Sequence, residues 1–239
     1  MSSEPPFPPP GTPALRLDSA LQLLRQSGHD LPSADDPAWL QAVVDGLCDL
    51  SSRDPLTGLA NRRQFELALA REIDRVARAG APALVLMADI DHFKQVNDRC
   101  GHASGDLVLK AIAATLQECV RPMDTVARFG GEEFAIVLPN CPPAFGHAVA
   151  ERVRRKVEQS PVALPSGAPI SVTISLGGAF APQWVRSTAE LWIARADKLL
   201  YRAKTEGRNR ACLEEPADSQ VSAEEKSMLL GSSQFQDFE

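Results

Sequence analysis

Hydrophobic positions along the chain change their spacing several times, and each spacing predicts a different element. Between residues 61 and 79, Phe65, Leu69, Ile73 and Val76 recur every three or four positions, which is typical of one face of a helix. The same spacing predicts three further helices, over residues 104–119, 144–159 and about 188–204.

Strands are predicted where apolar residues run together or alternate. The apolar run Ala83 to Ala88 indicates a strand buried on both faces, and an acidic segment follows it. Strict alternation over residues 170–174 predicts a half-exposed strand. Two short segments, about residues 124–128 and 132–138, flank Gly130-Gly131 and favour a hairpin. This order predicts an α/β sandwich whose sheet contains antiparallel strands, rather than a doubly wound parallel sheet.

Two shorter amphipathic segments precede these elements. Leu15 to Gln26 predicts a helix, and a second helix begins near Pro37 with an apolar stripe of Leu40, Val43, Leu47 and Leu50. The 3-4-3 spacing of that stripe suits a short coiled-coil seam and suits ordinary packing onto the domain equally well.

The chain is therefore divided into four parts. Residues 1–35 are interpreted as a proline-rich tail and a short helix, and residues 36–53 as a signalling or dimerisation helix. Residues 54–213 form the main domain. Residues 214–239 are acidic and rich in serine, which favours a disordered tail, with a partner-binding segment as the alternative.

Composition limits the compartments in which the protein is expected and the classes of partner that it is expected to bind. No apolar run approaches the ~18 residues of a membrane helix, and the N-terminus lacks the regions of a secretory signal. Five widely spaced cysteines without a C-x-x-C pair argue against a disulfide framework or a zinc site, and favour the reducing cytoplasm. A net charge of -6 argues against a general nucleic-acid surface. An acidic protein that binds an anionic substrate needs a local cluster of cations or a metal.

Acidic residues occur in pairs at two places where the backbone changes direction. Asp89 and Asp91 lie where the buried strand ends, and Glu132 and Glu133 lie on the hairpin. Carboxylates brought together from two such places form a natural Mg²⁺ site, because Mg²⁺ takes one or two carboxylates together with phosphate oxygens. Either pair alone is equally typical of solvated loop residues.

The motifs around these acids favour a metal site over solvated loop residues. Five motifs occur in order: Asp54-Pro-Leu-Thr-Gly-Leu-Ala-Asn-Arg-Arg63, Asp89-Ile-Asp-His-Phe-Lys94 with Asn97-Asp98, Gly101-His102-x-x-Gly105-Asp106, Arg128-Phe-Gly-Gly-Glu-Glu-Phe134 and Ala203-Lys204-x-x-Gly207-Arg208-Asn209. Together they closely resemble the GGDEF family of diguanylate cyclases, in its Gly-Gly-Glu-Glu-Phe variant, over about residues 51–213.

The resemblance implies both a fold and a reaction. The fold is a five-stranded, mixed and largely antiparallel central sheet flanked by helices, similar to the palm of adenylate cyclases and polymerases. The reaction condenses two GTP molecules into cyclic di-GMP and two pyrophosphates across a homodimer. The alternatives are an inactive GGDEF domain that acts as a cyclic di-GMP or GTP receptor, and a scaffold of the same fold. Every position that the chemistry needs is present, which favours the enzyme.

The resemblance also assigns residues to the chemistry. Two Mg²⁺ ions, or Mn²⁺ in their place, would be held by Asp89, the carbonyl of Ile90, Glu132 and Glu133. Glu132 is also the proposed acceptor for the proton of the attacking 3′-hydroxyl, although a metal-bound alkoxide needs little help from a base. Lys94 would contact the phosphates and stabilise the transition state.

GTP binding is assigned to a larger set of residues. Guanine selection falls to Asn97 and Asp106, with His102 either beside the substrate or a structural histidine. The phosphates would be held by Lys204 and Arg208 and approached by the backbone of Gly130 and Gly131.

One more motif is regulatory within this resemblance. Five residues separate Arg121-Pro-Met-Asp124 from Gly130, which matches the R-x-x-D inhibitory site of the family, and Arg152 lies where a second arginine is often found. Arginine suits this role because its guanidinium binds phosphate and guanine edges in pairs of hydrogen bonds. Cyclic di-GMP is therefore expected as product and inhibitor. About 50 residues precede Asp54, fewer than the ~100 of a typical sensory domain, so a regulatory protein acting through the N-terminal helices or the tail is a further expectation.

Overall fold

A computed structural model describes residues 17–165, 167–181 and 187–215. Its helices are α1 (Asp18–Gln26), α2 (Trp39–Ser52), α3 (Arg62–Ala79), α4 (Phe93–Cys100), α5 (His102–Glu118), α6 (Pro143–Glu158) and α7 (Ala189–Thr205). Its strands are β1 (Ala83–Ile90), β2 (Thr125–Gly130), β3 (Glu133–Pro139), β4 (Ile174–Phe180) and β5 (Ala211–Leu213).

The five strands form one sheet in the order β2-β3-β1-β4-β5. Strand β1 lies at the centre and pairs antiparallel with β3 and β4, while β2 pairs antiparallel with β3. The short edge strand β5 joins β4 in parallel. The five-stranded, mixed and largely antiparallel sheet is therefore confirmed.

Helices cover both faces of the sheet, which buries all eight positions of β1. Its even-numbered residues from Leu84 to Ile90 pack into a core with α4, α5 and α6. Ala83, Val85 and Met87 pack into a second core with α3 and α7. A strand buried on both faces holds its last residues rigidly, and the candidate chemistry lies at that end.

The prediction of a strand over residues 170–174 is wrong. Ile170 forms an isolated bridge with Val162, and the strand runs from Ile174 to Phe180. Sequence patterning missed it because Gly177 and Gly178 weaken the strand signal. Gly177 is needed because the backbone of α7 passes so close that a Cβ would collide with Leu200 and Ala196.

Two further elements were not predicted. Helix α4 has eight residues and only Phe93 and Val96 are buried, so its periodicity covers barely two turns. Strand β5 has three residues, which is too short for alternation to register.

The apolar stripe of α2 is partly buried and partly exposed. Val43 is fully buried, and Gly46 faces the side chain of Leu24 on α1, so α1 and α2 pack against each other. Leu40 is 52% exposed. Ordinary packing therefore explains Val43 but not Leu40.

Within the described residues, no helix combines the length and the apolar content that crossing a membrane requires. Residues 1–16 of the predicted N-terminal tail and residues 216–239 of the predicted C-terminal tail lie outside the described residues.

Candidate active site

Strand pairing places two of the predicted metal ligands side by side. Asp89, the seventh residue of β1, lies directly opposite Glu133 on β3 and Ser175 on β4. Directly opposite residues of an antiparallel pair point to the same face of the sheet. The backbone amide of Ile90 donates to the carbonyl oxygen of Glu132 at 3.3 Å, which fixes the hairpin against the end of β1.

A lysine from α7 completes this group. The Lys204 ammonium lies 2.8 Å from Oδ2 of Asp89, whose side chain is only 9% exposed. Burial raises the pKa of Asp89, an effect that the charge of Asp91 strengthens and that Lys204 and Arg208 oppose. The site thus gathers anionic and cationic groups from β1, the hairpin and the end of α7.

The pKa of Glu132 is also raised. Burial is the main cause, the negative charges of Asp89 and Glu133 add to it, and the Lys204 ammonium opposes it. Carboxylates that raise one another's pKa stabilise an added cation in their midst.

Asp91 has a different role from Asp89, although the two are separated by one residue. Its carboxylate accepts hydrogen bonds from the hydroxyls of Thr173 and Ser175, both at 2.7 Å, and from the backbone amide of Asn209 at 3.0 Å. All three bonds are internal to the protein, so Asp91 joins β1, β4 and the segment after α7. The sequence pairing of Asp89 with Asp91 as metal-site carboxylates is not supported by this geometry.

The segment held by Asp91 is a strained turn. Gly207, Arg208 and Asn209 all have positive φ, of 114°, 60° and 47°. Non-glycine residues adopt this conformation at a cost of about 1–3 kcal/mol and keep it where surrounding contacts enforce it. The Asn209 side chain supplies those contacts, because it accepts from Arg154 and donates to Glu158 on α6. Arg208 is therefore presented at the site by a fixed backbone.

The predicted guanine-binding residues lie on α4 and α5. Gly101, with a φ of 80°, separates the two helices and turns one back along the other. Gly105 is buried against Asn97, and a Cβ there would collide with the Asn97 side-chain oxygen. This contact brings Asn97 beside the first turns of α5, next to Asp106. The side chains of Lys94, His102 and Asp106 are exposed, and within the described residues they form no hydrogen bond.

Neither the backbone angle nor crowding within the protein requires glycine at the two hairpin positions. Neither Gly130 nor Gly131 is among the residues with positive φ. A Cβ on Gly131 would meet nothing within 4 Å, and one on Gly130 would lie 3.4 Å from the Glu133 carboxylate. The surface beside Gly131 is therefore open for a ligand to approach the backbone.

One contact between two of the quoted motifs was not predicted from the sequence. Arg128 on β2 donates to both carboxylate oxygens of Asp54 at 3.3 Å and to the carbonyl of Gly131 at 2.8 and 3.0 Å. It ties the segment after α2 to the hairpin. The only sequence signal for this contact was the position of the arginine, two residues before Gly130-Gly131.

The predicted inhibitory residues lie away from these carboxylates. The Arg121 side chain donates to Asp124 and to the Pro139 carbonyl, and its guanidinium lies 4.7 Å from the centre of the Phe145 ring. Arg152 on α6 donates to the Cys119 carbonyl at 2.6 and 3.2 Å. A cavity of about 490 Å³ borders Arg121 and Asp124 and extends to Arg53 after α2.

The donor groups fit a hard, phosphate-bound cation better than a fully protein-bound metal. The described residues contain no ready-made group of three His, Cys, Asp or Glu side chains for a metal. Carboxylates and a carbonyl are present at the end of β1 and on the hairpin, and Lys204 partly neutralises them. Mg²⁺ is usually held by one or two carboxylates and by substrate phosphates, which matches this donor set.

Comparison with known proteins is consistent with these features. The family model described as "Diguanylate cyclase, GGDEF domain" matches residues 51–210. The protein named diguanylate cyclase DgcP from Pseudomonas aeruginosa is 44% identical over 158 residues, which are 66% of this chain and 23% of that protein. The chain spans less than half the length of the first curated relatives that it matches.

Two of the solved structures that resemble this chain cover more of it than the family model does. The coiled coil and GGDEF domain of DgcB from Caulobacter crescentus, in complex with c-di-GMP, gives a TM-score of 0.70 at 28% identity and covers 82% of this chain and 96% of that one. The diguanylate cyclase SiaD in complex with its activator SiaC from Pseudomonas aeruginosa gives a TM-score of 0.68 at 34% identity. The match covers 83% of this chain and 72% of that one.

Proposed function

The chain belongs to the GGDEF family of diguanylate cyclases, and from that membership we propose that it condenses two GTP molecules into cyclic di-GMP and two pyrophosphates. The observation that carries the proposal is the group formed by Asp89, Glu132 and Lys204 at the end of β1. It provides carboxylates for a phosphate-bound cation and an ammonium for the phosphates themselves. An inactive member that only binds nucleotide would not need this arrangement intact.

Different residues of the protein bind the phosphates, select guanine and accept the proton. Lys204, together with Arg208 on its strained turn, holds the triphosphate, and Lys94 reaches it from the first turn of α4. Asn97 and Asp106 select guanine, because a carboxylate can accept from the two ring-edge donors that adenine lacks. Glu132, whose pKa is raised, is suited to accept the proton of the 3′-hydroxyl.

The metal would be held by Asp89, the Ile90 carbonyl, Glu132 and Glu133. When bound, Mg²⁺ or Mn²⁺ supplies neutralisation of the charge that grows on the phosphate oxygens as pyrophosphate leaves. The carboxylates must be ionised for this, so Lys204 and Arg208 also assist by opposing the rise in the pKa of Asp89.

The reaction requires two copies of the chain. Each site holds one GTP, and each 3′-hydroxyl attacks the α-phosphate in the other site, so the two sites must face each other in a homodimer. The DgcB match, which includes a coiled coil, covers more of this chain than residues 51–210 alone. The described elements outside those residues are chiefly α1 and α2, so α2 is the proposed dimerisation helix of a catalytic domain spanning residues 54–213.

Regulation is proposed at two places. Cyclic di-GMP binds Arg121, Asp124 and Arg152 and slows further turnover, as expected of a product that can hold two domains apart. An activator protein binds the N-terminal helices or the tail, in line with the SiaD structure, which includes an activator and covers 83% of this chain. The reaction is placed in the cytoplasm, where GTP is available.

The direct test is incubation of the purified chain with GTP and Mg²⁺, with products separated by chromatography. Two GTP should be consumed for each cyclic di-GMP formed, chelation of the metal should stop turnover, and specific activity should fall on dilution. Unchanged GTP together with tight binding of added cyclic di-GMP would identify a receptor instead. Concentration-independent activity of a proven monomer would contradict the dimer.

A further inference from the structure

Helix α6 holds the turn that presents Arg208 at the site, and it does so through an arginine. The Arg154 guanidinium donates to the side-chain oxygen of Asn209 at 2.9 Å, across 55 residues of sequence. The side-chain nitrogen of Asn209 donates to Glu158 at 2.7 Å. Because both ends of this amide have a partner on α6, the residue that follows Arg208 is held in one orientation.

Most donors of Arg154 are used within the protein. Its side chain is 14% exposed. Its Nε and Nη2 donate to the two oxygens of Glu151 at 2.9 and 2.8 Å, and its Nη1 donates to Glu158 at 2.9 Å as well as to Asn209. These bonds occupy four of the five N–H groups of the guanidinium. Arg154 is therefore placed to act on a ligand through Asn209 rather than by contact with it.

Two carboxylates on α6 keep the Arg154 guanidinium in place. Hydrogen bonds from Arg154, opposed by partial burial, and from Arg155 lower the pKa of Glu151 to about 2. Hydrogen bonds from Asn209 and Arg154 also lower the pKa of Glu158. Both carboxyls are therefore ionised near neutral pH, and a guanidinium paired with both oxygens of one carboxylate has a fixed plane. The support that α6 gives to Asn209 is rigid.

Arg208 has a fixed backbone and an available side chain. Its amide donates to the Ala203 carbonyl at 3.0 Å, and the next amide, of Asn209, donates to Asp91 at 3.0 Å. Its side chain is exposed and forms no hydrogen bond within the described residues, and its charge opposes the rise that burial causes in the pKa of Asp89. Arg208 has a φ of 60°, and a non-glycine residue keeps positive φ only where its surroundings enforce it. The direction of its side chain therefore depends on the contacts of Asn209.

We propose that Arg154 is a positioning residue for the reaction: by fixing Asn209, it directs the Arg208 guanidinium at the triphosphate of GTP. This inference rests on the proposed function, which assigns Arg208 to the phosphates. Without Arg154 the turn has one tie fewer to α6, and Arg208 is spread over several directions. Arg208 contacts the phosphates in the ground state and in the transition state alike, so the loss raises KM and leaves kcat almost unchanged.

The first test compares two neighbouring arginines of α6. Arg155 pairs with Glu151 at 2.6 Å, is 64% exposed, and within the described residues forms no hydrogen bond to Asn209. Arg154→Ala should raise KM for GTP about tenfold and change kcat by less than about twofold. Arg155→Ala should keep both constants. Equal KM values for the two variants, both folded by circular dichroism, overturn the proposal.

A second variant removes the same contact from the other side. Asn209 has a φ of 47°, which glycine adopts readily, so Asn209→Gly removes the side chain without opposing the turn. It leaves the ion pairs of α6 in place, and so it tests the proposal even where Arg154→Ala fails to fold. Asn209→Gly should raise KM as Arg154→Ala does. A folded Asn209→Gly protein with the wild-type KM overturns the proposal.

Combining substitutions separates positioning from a general loss of stability. Arg208→Ala should raise KM at least about tenfold. Adding Arg154→Ala to that variant should raise KM no further, because Arg154 acts through Arg208. Additive effects in the double variant would show that Arg154 acts independently of Arg208, and they overturn the proposal.

Binding measured without turnover separates this inference from the proposed function. The probe is the α,β-methylene analogue of GTP with Mg²⁺, and titration calorimetry gives its dissociation constant. This constant should rise about tenfold in Arg154→Ala and stay unchanged in Arg155→Ala. That result in a chain that makes no cyclic di-GMP supports the positioning role and contradicts the enzyme. An active enzyme in which both variants bind the analogue like wild type overturns the positioning role and leaves the enzyme standing.

Discussion

Arg128 and Asp54 are joined by two hydrogen bonds of 3.3 Å across 74 residues of sequence, and both side chains are largely buried. The same guanidinium donates to the carbonyl of Gly131, directly before the two hairpin glutamates. Four hydrogen bonds from one rigid guanidinium, two to each partner, make the position of the hairpin depend on the segment that follows α2.

Arg128→Lys should therefore lower kcat by about tenfold or more with little change in fold, because a lysine cannot satisfy Asp54 and Gly131 together. Turnover and thermal unfolding measured on the same preparation would check this. Arg62→Lys is the matched control, since Arg62 pairs with Glu66 on α3 and stacks on Phe129 without contacting the hairpin carbonyl. Equal kinetics for the two variants would show that the fork does not position the hairpin.

Asp89 and Asp91 should respond in opposite ways to loss of their carboxylates. Asp89→Ala should abolish turnover and leave the melting temperature nearly unchanged, because its main partner is the flexible Lys204 ammonium. Asp91→Ala should lower the free energy of unfolding by about 2–4 kcal/mol, because it leaves the Thr173 and Ser175 hydroxyls and the Asn209 amide without their acceptor.

Both expectations are tested by measuring the melting temperature and the initial rate of each variant. Near-wild-type turnover of Asp89→Ala with Mg²⁺ would contradict its place in the metal site. An unchanged melting temperature for Asp91→Ala would contradict the structural role. Asp98→Ala, on an exposed position of α4, is a control expected to change stability little.

The central architecture could be predicted from sequence because its signals are long. The run from Ala83 to Ala88 is a continuous apolar block, and the long helices repeat their apolar positions over about three turns. Prediction failed where tertiary contact overrides local preference. β4 contains two glycines because α7 passes against it, and no local pattern can reveal that neighbour.

The candidate site shows the same division. Acids at a strand end and on a hairpin could be read from the sequence, and strand register places Asp89 opposite Glu133. The distinct role of Asp91 could not be read, because its partners Thr173, Ser175 and Asn209 are 82 or more residues away. The roles themselves remain predictions that the experiments above test.

Acid should destabilise the protein in part through Glu151. Hydrogen bonds from Arg154 and Arg155, opposed by partial burial, lower the pKa of this carboxyl from its usual 4.5 to about 2. A carboxyl with a lowered pKa in the folded state contributes stability above about pH 4.5, and that contribution is lost as the pH falls toward 2.

Glu151→Gln should therefore have a melting temperature that falls less steeply than wild type between about pH 5 and pH 2.5. Scanning calorimetry across this range measures the difference, and carboxyls common to both proteins cancel in the comparison. Parallel curves for the two proteins would show that the pKa of Glu151 is the same in the folded and unfolded states.

Arg121→Ala should keep the initial velocity and lose inhibition by added cyclic di-GMP, because Arg121 lies outside the carboxylate group at the end of β1. It should also lose about 1–2 kcal/mol of stability, since its guanidinium satisfies Asp124, which is 1% exposed, and the Pro139 carbonyl. Rates are therefore compared well below the melting temperature of the variant. Arg155→Ala, an exposed arginine on α6 that pairs with Glu151, should be inhibited like wild type. If Arg121→Ala is inhibited as strongly as this control, the Arg121–Asp124 pair serves only to hold the α5–β2 connection to the end of β3.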